Sequence, residues 1–301
     1  MSALSVIVCT HNPRPDYFRR CLSALEAQTF QRDEWELILI DNASAPDKAP
    51  HPDLSWHAQA RLVREEQLGL TPARLRGIRE ATGNLLVFVD DDNVLDVDFL
   101  ETALRVADEK PFLGSWSGQC RPEFEEPPPE WTRRYWGNLV IREFDTDVWS
   151  NLPRLPQSMP CGAGLCVRRE VAARYLFLHE AGKRSLQLDR TGESLISGGD
   201  NDLAGCACDL GLGIGLISSL KLTHVIPPER LTVEYLARLT EGIYFSSVFL
   251  DREHGTPAVQ RSAVGQLADF LRLMRTKQPH RQILRAAFSG RNQAVRKLSQ
   301  A

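Results

Sequence analysis

Asp90, Asp91 and Asp92 follow directly on the apolar run Leu85–Val89. Three adjacent carboxylates repel one another, and that arrangement is costly unless a cation or good donors compensate. Hard oxygen ligands suit Mg²⁺ or Mn²⁺, ions that keep open positions for phosphate oxygens. A solvated acidic turn capping the next helix is the competing use of the same residues. A second acidic segment is Ser197-Gly198-Gly199-Asp200-Asn201-Asp202-Leu203. Its glycines permit close approach of a ligand, and the helix expected after them favours acids at its first turn. A carboxylate there could take a proton or could simply cap the helix.

Chemistry of this kind needs a frame. Ser5–Cys9, Leu37–Asp41, Arg61–Val63 and Leu85–Val89 read as buried strands, separated by helical patterns at Tyr17–Gln28, Thr71–Thr82 (Thr71 as N-cap) and Asp98–Glu109. Such alternation predicts parallel βαβ units with right-handed crossovers. The ends of the first, second and fourth strands then face one crevice, where such sheets bind ligands. Thr10, His11 and Asn12 end the first strand, and Asp41 ends the second.

Residues 121–160 break the pattern with Pro127-Pro128-Pro129, Trp131, Trp136 and Trp149 and read as an ordered excursion. Beyond it, Cys161–Arg168 and Gly213–Ser219 read as strands, Arg169–Leu176 and the residues after Ser197 as helices, and the chain from Leu231 onward as helical. The Lys221–Pro228 segment, with His224, is expected to follow the last strand.

Hydrophobic residues at 43% and charged residues at 25% describe an ordinary globular chain, and a net charge of −3 offers nucleic acid no overall attraction. The seven cysteines form no CxxC pair and read as reduced thiols of a cytoplasmic protein. No apolar run approaches the roughly 20 residues of a membrane span, and no basic leader precedes the first strand.

Val6-Ile7-Val8-Cys9-Thr10-His11-Asn12, Leu39-Ile40-Asp41-Asn42-Ala43-Ser44, Gly69-Leu70-Thr71-Pro72-Ala73-Arg74 and Phe88-Val89-Asp90-Asp91-Asp92, in that order, resemble the signatures of family 2 glycosyltransferases over roughly residues 4–230. The resemblance implies a GT-A fold, an α/β nucleotide-binding, parallel-rich mixed sheet flanked by helices. It also implies a nucleotide-sugar donor, Mn²⁺ or Mg²⁺, and inversion at the anomeric carbon. Residues 1–230 would form the transferase domain, donor half about 1–115 and acceptor half about 116–230, with 231–301 a helical C-terminal extension.

By the same resemblance Thr10 and Asn12 line the nucleotide pocket, and Asp41 contacts the base, usually the uracil of a UDP-sugar. Arg74 lies near base and phosphates, although Gln67-Leu68-Gly69 stands where the family has Asn-x-Gly. Asp90 and Asp91 belong to the donor side, Asp90 near the ribose or a metal-bound water, and Asp92 contacts the metal. Gly199-Asp200-Asn201-Asp202-Leu203 resembles the family's Glu-Asp-x-Asp-Leu segment, which puts Asp200 on the general base and Asp202 in a supporting role. The reverse assignment stays open. His224 is a third metal ligand, a diphosphate contact or a structural hydrogen-bonder. Trp131, Trp136 and Gly162 are expected on the acceptor side, the acceptor being a saccharide, a lipid-linked group or another hydroxyl.

Two rivals fare worse. A sugar-phosphate nucleotidyltransferase usually carries a glycine-rich basic loop after the first strand, and Thr10-His11-Asn12-Pro13-Arg14-Pro15 has no glycine. A silent nucleotide- or glycan-binding protein would be expected to lose Asp200 or Asp202, and both are present. No acidic residue follows Asp269, whereas eight arginines and lysines do, interleaved with Phe270, Leu271, Met274, Ile283 and Phe288. Such helices can contact the inner face of a membrane, or pack their apolar sides on the protein.

Overall fold

The computed structural model describes residues 2–184, 188, 195–255 and 261–300. They divide into two compact units, the first holding 2–123, 140–184 and 199–226, the second 124–139, 188, 195–198, 227–255 and 261–300.

Four parallel strands build the first half of the first unit: β1 (Leu4–Thr10), β2 (Trp35–Asn42), β3 (Ala60–Glu65) and β4 (Leu85–Asp90). Between them run α1 (Pro15–Glu26) and α2 (Leu70–Glu80); α3 (Phe99–Glu109) follows the short β5 (Asn93–Leu95). The sheet continues through β6 (Leu113–Phe124), β8 (Leu165–Arg168) and β9 (Gly213–Ile226) in the order β3-β2-β1-β4-β8-β6-β9-β5, and β7 (Val148–Ser150) pairs with β9. β8 runs antiparallel to β4 and β6; β5 and β7 run antiparallel to β9.

Strand alternation sorts the core into two layers. Leu4, Val6, Val8, Leu37, Leu39, Val87 and Val89 meet Phe18, Leu25, Phe99 and Val106 of α1 and α3 on one face. Ile7, Ile38, Ile40, Leu86 and Phe88 meet Ile78 of α2 and residues of α4 (Arg169–Glu180) and α5 (Gly199–Asp209) on the other. With both faces covered, continuous apolar strands are what the sheet requires. Each such side chain contributes roughly 1.5–3 kcal/mol on burial. At the opposite end of the sheet from the strand-end residues, buried Glu36 accepts hydrogen bonds from Ser5, Thr82 and Arg61 at 2.7, 2.6 and 2.7 Å. Burial pushes its carboxyl up, but these donors outweigh it and hold the group at about 2.

The α/β class and the helical C-terminal region agree with expectation from the sequence, while several boundaries differ. α2 begins at Leu70 behind Gly69, whose φ of 138° suits glycine, so Thr71 lies inside the helix and is not its cap. Cys161–Gly164 is loop and only Leu165–Arg168 is strand. β6 escapes a pattern search because Gly114, Ser115, Ser117 and Gly118 dilute its apolar residues. β9 is twice as long as Gly213–Ser219, so His224 lies within the strand and not after it; Leu220, Leu222, His224 and Ile226 alternate inward.

In the second unit α6 (Val233–Glu253) packs along α8 (His280–Gln300), which buries Ile283, Ala287, Gly290 and Ala294. Gly290 faces the Glu241 carbonyl so closely that no side chain fits. α7 (Ala263–Arg275) stands between them in sequence, capped by the Ser262 hydroxyl, and buries no residue. Among the described residues no helix is long and apolar enough to cross a membrane.

Candidate active site

Parallel register brings the strand ends together, because Thr10 is paired with Asp41 on one side and Cys9 with Asp90 on the other. The Thr10 hydroxyl donates to Asp91. Asn12, in the left-handed region, donates its N–H to Ser44 Oγ (2.8 Å) and accepts the Ala45 N–H on Oδ1 (2.9 Å). Asp41 is buried; Oδ1 accepts the Ser44 N–H (3.2 Å) and Oδ2 accepts Arg64 Nη1 (2.6 Å). Burial pushes its carboxyl up, yet Ser44 and Arg64 outweigh it and hold it below the usual carboxylate range. Asn42 accepts the Gly69 N–H and donates to the Gln67 carbonyl, which ties the segment before α2 to the end of β2.

The aspartate cluster spreads its charge over separate partners. Asp92 is buried; its Oδ1 accepts Asn93 Nδ2 (3.0 Å) and its Oδ2 lies 3.3 Å from His224 Nε2. The β5–β9 ladder creates this meeting, since Asn93 is paired with His224. The field is felt nearby: burial and the three carboxylates push the Cys21 thiol well up. Among the described residues no group of three or more His, Cys, Asp or Glu forms a metal cage. Asp92 and His224 bring one carboxylate and one imidazole together, two donors that could hold a divalent ion.

The two acids of α5 have different environments. Asp200 is half-buried, accepting the Gly162 N–H on Oδ2 (2.7 Å) and the Asn201 N–H on Oδ1 (2.9 Å). A Cβ on Gly162 would lie 2.8 Å from Arg74 Nη2 and 3.2 Å from Asp200 Oδ2, so the bare glycine lets all three converge. Asp202 is 1% exposed and its Oδ1 takes Arg184 Nε at 2.9 Å.

Thr10, Asn12 and Asp41 therefore share one set of strand ends with Asp90, Asp91 and Asp92, and Arg74, Gly162 and Asp200 form a second cluster. Trp131 and Trp136 belong to the second unit, where Trp131 faces His280 and Trp136 stacks near Phe124. Sequence reasoning misses Arg64 and Arg184. Arg64 has a signal, because an arginine on the strand after Asp41 can fall opposite it. Arg184 has none, as 18 residues of chain separate it from its partner.

Residues 5–173, more than half of the chain, match the family model described as "Glycosyl transferase family 2". The chain belongs to glycosyl transferase family 2. Curated relatives match over shorter stretches. The putative glycosyltransferase EpsH of Bacillus subtilis is 31% identical over 110 residues, 35% of this chain and 30% of that protein. YibD of Escherichia coli, an uncharacterized glycosyltransferase, is 33% identical over 108 residues, again 35% and 30%. The matched stretch thus spans about a third of the length of these relatives. Among solved structures, S. aureus TarS 1–349 superposes with a TM-score of 0.53 at 17% identity, covering 98% of this chain and 81% of that one. The same TarS fragment in complex with UDP-GlcNAc gives 0.53 and 17%, covering 98% and 82%. At that identity the likeness concerns the fold, which is GT-A. The family model ends before α5 and does not reach Asp200, Asp202 or His224.

Proposed function

We propose that this family 2 glycosyltransferase moves a sugar from a UDP-linked donor to an acceptor hydroxyl with inversion, Asp200 serving as general base. The contrast between the two acids of α5 carries the assignment. Asp202 is sealed against Arg184, whereas Asp200 is half-buried beside Gly162 and Arg74. A base must reach the proton it takes, and Asp200 has that access. In the step, the acceptor oxygen bonds to the anomeric carbon as the carbon–oxygen bond to UDP breaks. The acceptor proton passes to Asp200, and the bonding pair leaves with the diphosphate.

Asp41 acts as acceptor for the base edge: its carboxylate keeps lone pairs beyond those given to Ser44 and Arg64. The TarS complex with UDP-GlcNAc on the same fold supports a UDP donor. Asp92 and His224 would hold Mn²⁺ or Mg²⁺, with Asp90 beside them, and the ion would neutralise charge on the departing diphosphate. Asp91, held by Thr10, shapes the donor side. Arg74 adds fixed positive charge, and the bare Gly162 lets it come close to the base. The acceptor itself is a glycan or a lipid-linked hydroxyl, and the seven free thiols suit work in the reducing cytoplasm.

The deciding experiment measures UDP-sugar turnover and donor binding together in Asp200→Asn. Donor binding retained with transfer abolished supports the assignment; full transfer would refute it.

A further inference from the structure

The basic C-terminal region divides in two. α8 spends its apolar side on α6, burying Ile283, Ala287 and Ala294. α7 does the opposite: its large apolar residues face solvent, from 44% exposure at Leu271 to 79% at Val264, with Leu267, Phe270 and Met274 between. At 100° per residue Val264, Leu267, Ala268, Phe270, Leu271 and Met274 occupy one arc of about 160°. A contiguous exposed apolar face of this kind marks an interaction surface.

Charge identifies the partner. Between residues 261 and 281 stand Arg261, Arg272, Arg275, Lys277 and Arg281 against the single acid Asp269, which is paired with Arg261 at 3.3 Å. Arg272, Arg275 and Lys277 are exposed: Arg272 flanks the apolar arc, Arg275 lies on it in the last turn, and Lys277 follows the helix end. Two copies meeting through this face would set like charges against one another. An anionic bilayer satisfies both features at once, taking the apolar arc among acyl chains and the guanidinium groups at lipid phosphates.

We propose that α7 docks this chain in the interface of an anionic lipid bilayer, with Phe270 and Met274 among its apolar anchors. The surface is independent of the catalytic assignment.

The test is co-sedimentation of the full 301-residue chain with vesicles of mixed phosphatidylglycerol and phosphatidylcholine, and with phosphatidylcholine alone. Binding is expected only to the anionic vesicles and should weaken as salt rises. Phe270→Ser/Met274→Ser should reduce partitioning about tenfold or more, and Arg272→Gln/Arg275→Gln by about tenfold at low salt. Because these side chains are exposed, thermal midpoints and turnover of soluble substrates should be unchanged in both variants. Absence of binding to anionic vesicles overturns the proposal, as does equal binding by Phe270→Ser/Met274→Ser. A dimer in solution that this variant dissociates would likewise overturn it and assign the face to a second copy.

Discussion

Asp202 and Arg184 form an ion pair removed from solvent, with Oδ1 and Nε 2.9 Å apart and side-chain exposures of 1% and 9%. Two residues earlier, Asp200 faces a backbone N–H and keeps partial exposure. One helical turn thus carries two carboxylates in different surroundings. Asp202→Asn should destabilise the protein by about 3–5 kcal/mol, because it strands a buried guanidinium. Asp200→Asn should cost roughly 10²–10⁴-fold in transfer with little change in a denaturant melt. Exchanged outcomes in the two variants would exchange the roles.

Gly162→Ala separates positioning from stability. The new methyl group would press on the far end of Arg74 and on the Asp200 carboxylate. Arg74 can yield, so the thermal midpoint should move little. Transfer should fall on the order of 10²-fold, as displacement of about 1 Å at a reacting group can cause. Wild-type kinetics in this variant would remove Arg74 and Asp200 from a shared site.

Metal dependence provides a third check. UDP should stabilise the wild type more in the presence of Mn²⁺ than in its absence, and Asp92→Ala should erase the difference. His224→Ala should raise the Mn²⁺ concentration needed for half of the effect. Metal-independent UDP binding of full strength in Asp92→Ala would refute the cation site.

Arg64→Ala releases one oxygen of Asp41 from its donor. UDP affinity, measured by titration calorimetry, should drop several-fold as the carboxylate loses its orientation, about 1 kcal/mol. Affinity unchanged by the substitution would argue against Asp41 as the base contact.

The pH dependence of stability should report Glu36. Its carboxyl is held at about 2 against an ordinary 4.5, so the folded state binds the proton less well than the unfolded state. The stabilisation is complete above about 4.5 and is lost as pH falls toward about 2. Glu36→Gln should flatten that part of the denaturation profile; an unaltered slope would assign the acid sensitivity to other carboxylates.

Most of the parallel half of the sheet is legible in the residues alone. The apolar runs ending in Thr10, Asp41 and Asp90 identify buried parallel strands because local periodicity records burial on both faces. The order of the motifs carries the family, and the Asp90-Asp91-Asp92 cluster stands out on charge alone. Three relationships are decided only in three dimensions. His224 reaches Asp92 through the register of β5 against β9, a contact between residues 132 positions apart in the chain. Gly162 meets Arg74 and Asp200 because a loop, a helix and a helix start converge. Arg184 chooses Asp202 over Asp200 across a fold in the chain. Local propensity is written in neighbouring residues, whereas the partner of a buried charge depends on distant backbone placed within an ångström. For that reason the aspartates are visible in the sequence, and tertiary packing gives each its own surroundings.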